Sequence, residues 1–139
     1  MNTIKSSREI TASIEKVWNV ISDVDNDSKF WSNLNSISNI RKNGNTIERD
    51  VRVGFRNHKG RQILTLVPNN SIVIKLTEGP LIGTKVTELF PINNIKTKMD
   101  VSWNIEKMNA PFIARSFIEK QIRKTTEEAL DKIAKEVER

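Results

Sequence analysis

The sequence has no cysteine and no tyrosine, a single histidine, and only five glycines and four prolines in 139 residues. Without thiols there is no disulfide framework, no thiolate nucleophile and no zinc site built on sulfur, and the chain fits a reducing cytoplasm. The one histidine, His58, sits in Asn57-His58-Lys59-Gly60, a turn beside basic residues where a solvated loop side chain is expected rather than a general base. No nucleophile with an adjacent base can be assembled, so no catalytic residue is assigned and an enzyme is the less favoured reading. The scattered glycines form neither a GxGxxG nor a Walker loop, and no cofactor is expected. Asp23, Asp25 and Asp27 mimic the start of a calcium loop, but Ser28 replaces its glycine and Leu34 falls where the closing glutamate belongs, so no metal is expected either. No run approaches 18 apolar residues, and the opening MNTIKSSREI lacks the apolar segment of a secretory signal. A protein that neither spans a membrane nor is exported is therefore expected.

What is present is the composition of one compact domain over residues 1–139, with 37% hydrophobic and 29% charged residues. A core at this length buries roughly two-thirds of the surface of the unfolded chain. The net charge is +6, and it is concentrated: between Arg41 and Arg61 seven basic residues stand against Glu48 and Asp50. Such a segment could steer a fatty carboxylate, a phosphate or RNA, or it could be a pair of strands with solvated basic outer faces.

Hydrophobic periodicity orders the chain. Thr3 to Ile10 reads as a first strand. Ser13 is a helix N-cap candidate, and Ile14, Val17, Trp18 and Ile21 fall on one helical stripe that ends near Val24. Asp25-Asn26-Asp27-Ser28 is turn chemistry, followed by Phe30 and Trp31 in a short helical or irregular segment. Six strands are then predicted near 34–42, 46–56, 60–67, 71–78, 82–90 and 95–106, separated by breaks such as Asn43-Gly44-Asn45. In the run 46–56, Ile47, Val51, Val53 and Phe55 share one face. In the last run Ile95, Thr97, Met99, Val101, Trp103 and Ile105 share one face, with Lys96, Lys98, Asp100, Ser102 and Asn104 on the other. That alternation describes an antiparallel sheet with one covered and one wet side. The cover is a long C-terminal helix over about 110–137, opened by Asn109-Ala110-Pro111 and carrying Ala114, Ile118, Ile122, Ala129 and Ile133 on one arc. The fold class is thus α+β, of order β-α-α-β6-α.

This order, together with the opening Ser7-Arg8-Glu9-Ile10-Thr11-Ala12-Ser13-Ile14-Glu15-Lys16-Val17-Trp18, resembles the START-like (SRPBCC) superfamily. That superfamily has the helix-grip fold of polyketide cyclase/dehydrase-like and lipid-transfer proteins and the birch-pollen-allergen group. One departure is Ser13, where many members have proline; both residues suit a helix entrance. The resemblance implies a curved antiparallel sheet of about seven strands around the long helix, with a cavity between them for an apolar molecule. Its wall would be drawn from Val51, Val53, Phe55, Leu64, Leu66, Ile74, Val86, Met99, Val101 and Trp103 on the sheet, and from Ala114, Ile118 and Ile122 on the helix. The competing possibility is that these residues fill a dry core.

Two arginines sit where apolar residues are expected. Arg49 has the parity of Ile47, Val51 and Phe55, and Arg115 lies on the arc of Ile118 and Ile122. Both are candidates for holding a carboxylate or phosphate headgroup, because an arginine facing an apolar cavity needs a partner. A bulge that turns Arg49 outward, or a stem that snorkels from the helix start, is the more ordinary explanation of each. Glu88, on the parity of Ile82, Val86 and Phe90, is a candidate partner for one of them. The sequence therefore favours a carrier, sensor or store for a hydrophobic or amphipathic small molecule such as a fatty acid or lipid. The alternatives are a cyclase/dehydratase using the same cavity, marked by a buried acid of raised pKa for which Glu88 is the one candidate, and a protein- or RNA-binding module using the 41–61 segment. Against nucleic acid, no aromatic residue except Phe55 interleaves with the basic cluster.

Overall fold

A computed structural model describes residues 2–139. Strand β1 (Asn2–Ile10) leads into helix α1 (Ile14–Ile21), where the Ser13 side chain accepts a hydrogen bond from the Lys16 backbone N–H, as an N-cap does. A 3-10 turn over Val24–Lys29 follows. Six strands come next: β2 (Leu34–Asn43), β3 (Thr46–Val53), β4 (His58–Val67), β5 (Ser71–Glu78), β6 (Leu81–Asn93) and β7 (Lys96–Met108). A 3-10 turn over Phe112–Ala114 opens into α2 (Arg115–Glu138). The strands form one antiparallel sheet in the order β1-β7-β6-β5-β4-β3-β2. This is the expected α+β helix-grip architecture: a seven-stranded curved sheet gripping a long C-terminal helix.

Helix α2, about 36 Å long at 24 residues, divides the interior into two regions. Its second half buries Thr126, Ala129, Leu130, Ile133, Ala134 and Val137. These pack on α1 residues Val17 and Ile21 and on Ile10, Leu64, Met99 and Val101 of the sheet, in a densely filled core. Its first half carries Ile118, half-buried, and Ile122, which joins Ile4, Ile105 and Met108 in a smaller cluster. Beyond that cluster the helix stands off the sheet. Arg8 is paired with Asp131, tying the first strand to the second half of α2.

Three assignments shift. β3 ends at Val53 rather than 56, because Gly54 and Asn57 take positive φ (78° and 56°) and turn the chain. Phe55 is consequently fully exposed at a turn tip instead of facing inward from a strand. α2 begins at Arg115, because the chain around Pro111 first makes a 3-10 turn. The third shift concerns parity. β6 was expected to turn Ile82, Val86, Glu88 and Phe90 inward, but it pairs Lys85 with Trp103, Thr87 with Val101 and Leu89 with Met99. Residues directly opposite share a face. The strong apolar stripe of β7 therefore turns Lys85, Thr87 and Leu89 inward and leaves Val86 and Glu88 on the outer side.

The β6–β7 ladder carries a register shift between Ile82 and Gly83. A Cβ at Gly83 (φ 156°) would lie 2.1 Å from the Asn104 carbonyl oxygen. Gly83→Ala is expected to lower unfolding free energy by about 1–3 kcal/mol, the usual cost of forcing backbone aside. Urea denaturation checks this, and an unchanged midpoint would mean that the two strands do not approach so closely.

Candidate ligand-binding cavity

Where the first half of α2 stands off the sheet, an open cavity of about 460 Å³ remains, within the roughly 300–1,000 Å³ range of small-molecule sites. The sheet contributes Val51 and Val53 from β3, Gly60 and Gln62 from β4, Ile74 and Leu76 from β5, Lys85 from β6 and Trp103 from β7. The helix contributes Phe117, Ile118, Gln121, Ile122 and Thr125. Gly60 is buried among them, and a Cβ there would press on Val51 at 3.2 Å. Phe55 and His58 line the outer part, and Phe117, 64% exposed, stands at the rim.

The candidate wall residues separate accordingly. Arg49, Val51, Val53, Phe55, Ile74, Trp103, Ile118 and Ile122 line the cavity. Leu64, Met99 and Val101 are fully buried in the dense core, and Leu66 packs against it, so for these the dry-core alternative holds. Val86 and Glu88 are on the outer face of β6, and Glu88 is exposed. Ala114 sits in the 3-10 turn before α2, outside the cavity lining. Arg115 is exposed at the helix start, its guanidinium 5.9 Å from the Phe112 ring centroid. One turn of helix before Ile118 is already beyond the sheet, so nothing covers that arc.

Arg49 faces inward and is 1% exposed. The protein itself satisfies it: Nε donates to Gln62 Oε1 at 3.0 Å, Nη1 to the Val24 carbonyl at 3.0 Å, and Nη2 to Asp27 Oδ2 at 2.9 Å. Its carboxylate partner is thus Asp27 and not Glu88. Asp27 also lines the cavity. Burial pushes its carboxyl above the ordinary value, while the charges of Arg49 and Lys85 pull the other way.

The residue missed in the sequence is Lys85. It is 8% exposed, lines the cavity, and places Nζ 3.0 Å from the Trp31 ring centroid and 5.0 Å from that of Trp103. The two rings meet edge to face at 6.2 Å. Trp103 is fixed by donating from Nε1 to Thr126 Oγ1 at 3.0 Å, and Thr126 donates to the Ile122 carbonyl at 2.7 Å. No hydrogen bond or ion pair within 4 Å holds the Lys85 amine among the described residues. Burial lowers its pKa to about 7; Asp27 opposes this and Arg49 adds to it. The inner end of the cavity is therefore an aromatic cradle holding an amine, backed by an Arg–Asp pair. This arrangement can bind an anion, or act on a carbonyl.

The basic segment is also redistributed. Arg49 is consumed inside, and Arg61 donates to Asp50 at 3.0 Å on the outer face. Arg41, Lys42, Arg52, Arg56 and Lys59 remain exposed. No helix is long and apolar enough to cross a membrane among the described residues.

Comparison with known structures supports the same architecture. The ZhuI aromatase/cyclase from Streptomyces sp. R1128 superposes with a TM-score of 0.86 at 14% identity, over 99% of this chain and 94% of that one. A protein from Thermus thermophilus gives 0.82 at 15% identity, over 98% and 97%. A START superfamily protein from Mycobacterium smegmatis gives 0.64 at 18% identity, over 98% and 94%. These likenesses concern the fold. No curated protein matches the sequence. The family profile described as polyketide cyclase/dehydrase and lipid transport matches residues 1–138. With its helix-grip sheet and its cavity under α2, the chain belongs to that family.

Proposed function

We propose that this protein is a carrier, sensor or store for an amphipathic small molecule, a fatty acid or similar lipid. The apolar chain would lie between β3–β5 and the first half of α2, and the polar end would reach Lys85. The observation that carries this reading is the cavity itself: about 460 Å³, walled mostly by aliphatic and aromatic side chains, with one unpaired amine at its inner end. A carboxylate there would keep Lys85 charged and offset its burial. Native mass spectrometry of the purified protein, followed by extraction, tests this. A stoichiometric lipid mass is expected; a clean apo mass and no thermal shift with a fatty-acid panel would sink it.

Ile118→Trp places an indole in the cavity from α2. Uptake is expected to fall about tenfold or more, which is at least 1.4 kcal/mol of binding, while far-UV circular dichroism is unchanged. Undiminished uptake in a folded variant would remove Ile118 from the wall.

A second reading, a cyclase/dehydratase, is favoured by Asp27: a cavity-lining carboxyl whose pKa burial raises, suited to moving a proton while Arg49 holds it in place. Turnover of a poly-β-keto substrate that Asp27→Asn abolishes would favour it over simple carriage.

A further inference from the structure

We infer that Lys85 is a carbonyl-capturing residue, forming an imine with an aldehyde or ketone group on the ligand that fills the cavity. The inference rests on the cavity reading above and replaces the carboxylate proposed at the polar end of the ligand with a carbonyl. Carboxylates would pair with the lysine as a cation, whereas a carbonyl ligand would be attacked by its free amine.

The geometry favours capture. An attacking amine must be desolvated, positioned and free of competing acceptors. Lys85 is only 8% exposed, flanked by two indole faces, and held by no carboxylate or carbonyl within bonding distance among the described residues. Lys85 lines the cavity, the space from which a carbonyl carbon would approach its amine. The charged and titratable groups around it are few. Asp27 comes from the 3-10 turn and Arg49 from β3 at the inner end, and His58 and Glu78 line the same cavity farther out. Burial lowers its pKa toward about 7, so Lys85 offers far more free amine near neutrality than an ordinary lysine of pKa about 10.4, which is almost wholly protonated there.

The chemistry balances without another reagent. The Nζ lone pair forms a C–N bond to the carbonyl carbon, the π electrons move to oxygen, and a proton passes from nitrogen to that oxygen to give a carbinolamine. The hydroxyl then leaves as water, taking a proton, as the nitrogen lone pair forms C=N and nitrogen loses its second hydrogen. Asp27, whose carboxyl burial biases toward the protonated form, lies at the same end of the cavity and supplies and recovers the proton that assists departure of water. Arg49, bonded to Asp27 Oδ2, is a positioning residue in this scheme.

The test uses octanal with cyanoborohydride at pH 6.5, followed by intact mass and peptide mapping. An octyl adduct on Lys85 at least tenfold above any other lysine is expected, absent from a folded Lys85→Met variant. The α-amine is resolved by its own peptide. Labelling spread over exposed lysines, or equal in Lys85→Met, would overturn the inference. Octanol, which has the same chain without the carbonyl, separates the two levels of argument. If octanol raises Tm and octanal gives no Lys85 adduct, the imine is refuted while the cavity reading stands; if neither molecule has an effect, both fall.

Discussion

Lys85→Met is expected to raise the unfolding free energy by about 3–5 kcal/mol at pH 6, and to remove a rise in stability that the native sequence shows between pH 7 and pH 10. The sign follows from where the proton sits. In the folded protein burial lowers the Lys85 pKa from 10.5 to about 7. Between those values the unfolded chain binds a proton that the native state does not, so stability increases with pH across that window. Below pH 7 the full cost of burying the cation is present. The gap from 10.5 to about 7 corresponds to roughly 5 kcal/mol at about 1.4 kcal/mol per pH unit. The indole faces return up to about 2 kcal/mol to the charged form, which sets the lower bound. Methionine keeps the length of the side chain and packs well against indole. Urea denaturation of both proteins from pH 6 to pH 10 measures the difference, in which titrating groups not coupled to Lys85 cancel; Asp27 is coupled to it. Parallel profiles would show that Lys85 carries its charge in water.

Asp27→Ala has the opposite effect and a similar size. Arg49 is 1% exposed, and its guanidinium keeps its hydrogen bonds to Gln62 and Val24 when Asp27 is removed, but it loses the only carboxylate paired with it among the described residues. An uncompensated buried charge costs about 3–5 kcal/mol, or a fall in Tm of about 10–15 °C for a domain of this size. The double variant Asp27→Leu with Arg49→Leu is expected to recover much of the loss, because well-packed apolar residues replace buried ion pairs at little cost. A single-variant loss under about 1 kcal/mol would mean that water or a bound anion reaches Arg49.

Much of the architecture was legible because periodicity is a local signal. Val51 and Val53 on β3, and Met99, Val101 and Trp103 on β7, alternate so regularly that their inward faces follow from residue type alone. The inward parity of Arg49 followed from the same stripe. β6 misled for the converse reason: Ile82, Val86 and Phe90 form an apolar stripe that the sheet turns outward, while Lys85 and Thr87 face in. A polar residue inside is read correctly only once its cross-strand neighbour is known. The sole sequence signal for Lys85 was its alternation with Leu89 and Thr87, and residue type argued against it.

The sequence by itself determined the order of elements, the existence of a long covering helix, the inward faces of β3 up to Val53 and of β7, and an inward parity for Arg49. Each depends on neighbours within a turn of helix or along a strand. Only the tertiary structure decided the rest. It set which half of α2 packs and which stands off, and it brought Asp27, 22 residues before Arg49 in sequence, to that guanidinium. It also placed Lys85 between indoles supplied by Trp31 and Trp103. Those contacts join groups distant in the chain, and they arise from strand register and from the curvature of the sheet, neither of which is written in any one segment.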